Sequence, residues 1–71
     1  MPRYFFNLDG EAPDESGTVL PDTGAARVAA VTHAGELLKY AEDKFWRTPE
    51  WRLRVTDDQG AAVCALTVKG E

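Results

Sequence analysis

The sequence predicts an α+β domain. Its expected form is two-layered: a three- to four-stranded, mainly antiparallel sheet, covered on one face by a single long helix in the order β-β-α-β-β. Three observations predict it. Segments near both ends alternate apolar and polar residues with a period of two. A long central segment from Thr23 repeats apolar residues at three- and four-residue spacing. Turn formers (Asp9-Gly10, Pro21-Asp22, Thr48-Pro49 and Asp57-Asp58-Gln59-Gly60) separate the segments. One amphipathic helix covers one sheet face, so the other meets solvent or a partner.

Each element has its own reason. Arg3 to Leu8 is rich in aromatics, which favour strands, and Pro2 stands where a strand begins. Tyr4, Phe6 and Leu8 point to the core; Arg3, Phe5 and Asn7 point away. Asp9 to Gly17 is a polar loop holding four acids, Asp9, Glu11, Asp14 and Glu15. Thr18 to Leu20 is a short strand that pairs back on the first. Asp22 or Thr23 caps a helix expected to run to about Trp46. Its core stripe is Ala26, Ala30, Ala34, Leu37, Ala41 and Phe45, widened by Val31 and Leu38. The alanines permit close approach to the sheet. Leu37, Leu38 and Phe45 are expected to fill the wider end of the core. Gly35 lies on the polar side and costs roughly 1 kcal/mol against Ala.

Thr48-Pro49 stops the helix, because a residue before proline is pushed out of the helical region. Trp51, Leu53 and Val55 then face the core, with Arg52, Arg54 and Thr56 opposite. Gly60 turns the chain, and Ala61 to Val68 returns as the last strand. Lys69-Gly70-Glu71 is expected to fray. Trp46 and Trp51, flanking the helix-to-strand connection, are expected to pack over the open end of the core. An exposed indole there reads instead as an interaction anchor.

Composition sets outer bounds. The chain has 71 residues, 7.8 kDa and a formal charge of −4, with eight Lys+Arg against twelve Asp+Glu. That length fits a single small domain over residues 1–71. At 44% hydrophobic and 10% aromatic it is too apolar for a disordered chain. A domain of this size buries only about 60% of its unfolded surface, so its margin is thin and self-association would help. No signal-peptide core or membrane-length apolar run is present, so a cytoplasmic setting is expected. A reducing compartment suits the lone cysteine.

Three motifs carry a resemblance: the opening Met1-Pro2-Arg3-Tyr4-Phe5-Phe6, the helix entry Gly17-Thr18-Val19-Leu20-Pro21-Asp22 running into Ala25-Ala26-Arg27, and Trp51-Arg52-Leu53-Arg54-Val55-Thr56-Asp57 followed by Gly60. In that order they resemble a family of small bacterial domains of unknown function abundant in alphaproteobacteria. The resemblance implies a fold and a bacterial cytosolic setting, and carries over no catalytic residue. Members often have His at the position of Asn7, and its loss here weakens a catalytic reading.

No residue set points to catalysis, a cofactor or a metal. The acidic loop does not match the spacing of a calcium-binding loop, and Pro13 interrupts it. His33 has no second ligand near it in sequence, and Glu36 is its expected helix neighbour. Cys64 alternates with Ala62, Leu66 and Val68, and reads as a small buried hydrophobe. No acid–base–nucleophile set can be drawn, so an enzyme is not expected.

The candidate binding face is Arg3, Phe5, Asn7, Arg52 and Arg54, on the sheet side away from the helix. Arginine beside an aromatic suits a protein interface. It also suits single-stranded nucleic acid, where bases stack on rings and cations meet phosphates. The acidic balance favours a protein partner, including a second copy. The sequence therefore points to a non-enzymatic binding or regulatory module acting through protein contacts or self-association. A small single-stranded nucleic-acid-binding module is the alternative.

Overall fold

The computed structural model describes residues 2–71. Strands β1 (Arg3–Leu8) and β2 (Thr18–Val19) precede helix α1 (Thr23–Ala41). A 3₁₀ segment (Glu42–Arg47) follows, then β3 (Glu50–Asp57) and β4 (Ala62–Lys69). The order is β-β-α-β-β, with a four-stranded antiparallel sheet and one long helix. Strand order, which the sequence leaves open, is β2-β1-β3-β4.

The register sorts the side chains. Phe6 lies opposite Val55 and Leu8 opposite Leu53, so these four share the helix face. Leu53 and Val55 in turn face Leu66 and Cys64 on β4. Tyr4, Ala26, Ala30, Ala34, Leu53 and Val55 form the buried cluster. Ala26 is fully buried and Ala30 nearly so, as close helix–sheet approach requires. Each buried Leu or Val contributes about 1.5–3 kcal/mol relative to exposure. No polar or charged side chain is buried among the described residues.

The helix entry is set by Asp22, in extended backbone, whose Oδ1 accepts the Ala25 N–H at 2.8 Å. Its exit differs from the expected one near Trp46. The α-helix ends at Ala41, Glu42 takes φ +48°, and the chain tightens into 3₁₀ form. Length explains this. An eight-residue strand spans about 26 Å, and nineteen helical residues about 28 Å. Five more would overshoot the sheet. Phe45 is buried as expected, but from the 3₁₀ segment. It meets Trp46 and Trp51 edge-to-face, at centroid distances of 5.5 and 5.3 Å. Trp46 stays 62% exposed. Leu37 and Leu38 are only half-buried.

The carboxyl end is better tied than expected. β4 runs through Lys69, and the Gly70 N–H donates to the Pro49 carbonyl at 2.8 Å. Gly70 also packs closely on the rings of Phe45 and Trp46. The β3–β4 turn is clamped by Asp57, whose Oδ1 accepts the Gln59 and Ala61 N–H groups at 2.9 Å each. Gly60 supplies φ +81°. A bulge follows: Val55 faces Cys64 and Thr56 faces Ala62, which leaves Val63 as the extra residue.

Candidate functional site

The predicted face is assembled by the register. Asn7 lies opposite Arg54, and Phe5 opposite Thr56. Arg52 lies opposite Thr67, and Arg54 opposite Ala65. Arg3, Phe5, Asn7, Arg52 and Arg54 therefore all stand on the side away from α1.

Much of this face is already engaged by the acidic loop. An Arg3 guanidinium N–H donates to the Ser16 carbonyl at 2.7 Å. Gly17 lies so close over Phe5 and Arg3 that a Cβ there would come within 2.9 and 2.8 Å of them. Asn7 Oδ1 accepts the Asp14 N–H at 2.8 Å. Arg54 pairs with Asp9 at 3.3 Å. Both partners are about half exposed, so this pair is worth well under about 1 kcal/mol. Arg52 is exposed and makes no ion pair among the described residues.

The centre of the loop is Asp14, one of its four acids. Its Oδ1 accepts the Ser16 and Gly17 N–H groups at 3.2 and 3.0 Å. Its Oδ2 accepts the Phe6 N–H at 3.1 Å. These bonds hold its carboxyl below the usual aspartate range, the Gly17 amide most and the Phe6 amide next, against partial desolvation. The run Asp14-Glu15-Ser16-Gly17 carried this signal, since an aspartate in a Ser/Gly-containing loop tends to bond the backbone two residues on as an Asx-turn.

The loop's role follows from the strand alternation. Asp9 N–H donates to the Arg52 carbonyl, so Phe5 and Asn7 bond toward β3. Tyr4, Phe6 and Leu8 turn their backbone groups to the opposite edge. There β2 pairs with Tyr4, Asp14 takes the Phe6 N–H, and the Leu8 carbonyl accepts Glu11 N–H at 3.1 Å. The loop thus closes the β1 edge where the two-residue β2 runs out.

The β4 edge has no such cover. The Gly70–Pro49 bond places Val68, Leu66 and Cys64 in the set that bonds to β3. Ala65, Thr67 and Lys69 turn their N–H and C=O groups outward. No hydrogen bond from these groups to another segment occurs among the described residues. Beside this edge the helix presents Val31, 63% exposed. A groove of about 180 Å³ between them is lined by Arg27, Ala30, Val31, Cys64, Ala65 and Leu66. Cys64 is a half-buried free thiol there.

A model of a domain of unknown function, DUF6894, matches residues 3–69. The chain belongs to the DUF6894 family. The match covers every strand and the helix of this DUF6894 domain. No curated protein and no solved structure matches the chain.

One further feature of the DUF6894 domain was not legible in its sequence. A cleft of about 360 Å³ opens between α1 and the β1–β2 side, lined by Phe6, Asp14, Thr18, Ala29 and His33. Among the described residues His33 makes no hydrogen bond or ion pair with Glu36, its expected helix neighbour. Its ring tilts against Phe6 at 5.9 Å between centroids. The Asp14 oxygens at this cleft already accept three backbone N–H groups. No helix among the described residues is long and apolar enough to cross a membrane.

Proposed function

We propose that this domain is a non-catalytic protein-interaction module whose contact surface is the open edge of β4. The observation that carries the reading is the asymmetry of the two sheet edges. One is the two-residue β2, beyond which β1 is closed by the Asp14 carboxylate and a loop; the other leaves Ala65, Thr67 and Lys69 with outward backbone groups. Bare edges invite strand pairing, and proteins usually blunt them with charge, proline or cover. From Cys64 to Val68 this edge has none of these; the Val63 bulge and Lys69 stand at its two ends. Main-chain bonds to an added strand give affinity, and flanking side chains give choice of partner. Val31 beside the strand and the exposed Trp46 near Gly70 supply apolar flanks. A cytoplasmic setting suits the free Cys64.

The test is backbone amide NMR of the chain titrated with a synthetic peptide of the β4 sequence, residues 61–70. Shifts centred on Ala65, Thr67 and Lys69, abolished by Thr67→Pro, support the reading. Shifts confined to other elements, or none, refute it.

Arg52, exposed and without an ion pair among the described residues, lies beside Arg54 and supports a second reading, a face for single-stranded nucleic acid. Against it, Arg3 and Arg54 are engaged and four acids lie in the adjoining loop. This reading expects a salt-dependent mobility shift with mixed oligonucleotides, lost in Arg52→Glu/Arg54→Glu. No shift at low salt would remove it.

A further inference from the structure

We infer that the occupant of the β4 edge is a second copy of this chain, joined by a two-fold axis at Thr67, which sets Thr67 opposite itself and Ala65 opposite the partner's Lys69. The inference rests on the interaction reading above and names its partner.

The geometry is self-complementary. A two-fold axis perpendicular to the sheet pairs β4 with its own copy antiparallel, and sets both helices on the same side. Ala65, Thr67 and Lys69 then bond across the junction in one continuous sheet of eight strands. An axis at Thr67 also keeps the Val63 bulge outside the paired centre.

The helix flank fits the same axis. Arg27, Val31 and Leu38 follow one flank of α1 at four- and seven-residue spacing. Arg27 and Val31 line the groove over Ala65 and Leu66, while Leu38 lies over Leu66 and Val68. The helix therefore runs in the same direction as β4. Rotation about the axis brings the Val31–Leu38 stretch of one copy against that of the other. It carries Arg27 toward the partner's helix end at Glu42. The flank thus has a cation at one end and an anion at the other, and antiparallel pairing matches them. A foreign strand would satisfy the backbone edge and leave this helix flank uncovered.

The size is sufficient. The flank is about 26 Å long, and a helix layer on a sheet is about 20 Å deep. That gives about 500 Å² per copy, or about 1,000 Å² for the pair, which meets the lower bound for a specific interface. The share per copy is about a tenth of the 5068 Å² surface of the chain.

The test is sedimentation equilibrium of the full chain from micromolar to millimolar concentration. A species of twice 7.8 kDa is expected at the upper end. Val31→Asp and Thr67→Pro should each weaken it at least tenfold, while circular dichroism keeps the native helix signal. Val31 is mostly exposed, so the aspartate leaves the fold intact. Val31→Cys/Leu38→Cys in a Cys64→Ser background should give an oxidised, disulfide-linked dimer, because residue 31 of one copy faces residue 38 of the other, while the two lie too far apart within one helix to bridge. A wild-type chain that stays monomeric at millimolar concentration overturns the inference. So does a dimer that both variants leave unchanged. If the chain is monomeric yet the β4 peptide still shifts Ala65 and Thr67, the second-copy inference fails and the interaction reading stands. If neither occurs, both fail.

Discussion

The Asp14 carboxylate accepts the Phe6 backbone N–H at 3.1 Å. A side chain here does what a longer β2 would do with a carbonyl. β2 supplies partners as far as Tyr4, and the next outward N–H on β1 is that of Phe6. One aspartate completes the edge and, through Ser16 and Gly17, fixes the loop that lies over Phe5.

Replacing Asp14 by Asn removes the charge that strengthens these three bonds, and should cost about 1–3 kcal/mol in urea unfolding. The pH dependence has a definite sign. The folded carboxyl titrates below the usual aspartate range. Its contribution is therefore complete above the unfolded aspartate pKa and is lost as pH falls through the folded value. The gap between wild type and Asp14→Asn should be widest near neutral pH and narrow in acid. Urea midpoints at several pH values measure it.

Gly17→Ala and Gly60→Ala should separate two costs. Both glycines have positive φ, +68° and +81°. A Cβ at Gly60 meets nothing within 4 Å, whereas one at Gly17 meets Arg3, Phe5 and the Tyr4 carbonyl at 3.0 Å or less. Gly60→Ala should cost about 1 kcal/mol from backbone strain alone. Gly17→Ala should cost about 2–4 kcal/mol, because the loop must also lift from the face. Equal losses in denaturant titrations would contradict the packing described.

The core has a tight and a tolerant region. Ala30→Leu should destabilise by about 1–3 kcal/mol or more, because the helix touches the sheet there. Val55→Ala should cost about 2–3 kcal/mol through the cavity it leaves. Thermal unfolding of both variants checks this.

Gly35→Ala should go the other way. The site is exposed, mid-helix, and open around a built Cβ. The substitution should stabilise by about 0.5–1 kcal/mol. Chemical denaturation reads the gain directly.

The fold was legible because local signals agreed with one another. Alternation in Tyr4-Phe6-Leu8 and Trp51-Leu53-Val55, the Ala26-Ala30-Ala34 stripe and the Asp22 cap all pointed to one architecture. The helix end was misread because the pattern through Phe45 continues at helical spacing while the sheet beneath has ended. The face residues Arg3, Phe5, Asn7, Arg52 and Arg54 were legible from the two-residue period. Their engagement was not, because Ser16 and Asp9 reach them across loop closures that no period encodes. The bare β4 edge was hidden for a related reason. Only strand order decides which strand lies outermost, and long-range pairing sets that order.

On one side of the sheet β1 is closed where β2 runs out; on the other the β4 edge is open. Amide hydrogen exchange of Phe6 and Thr67 in dilute solution tests it most directly. The account predicts a protected Phe6 amide and a Thr67 amide exchanging at least about tenfold faster, as for an unbonded edge group. Thr67 protection should then rise with chain concentration. A Thr67 amide as slow as that of Phe6 at the lowest concentration, or a Phe6 amide as fast as that of Thr67, would contradict it.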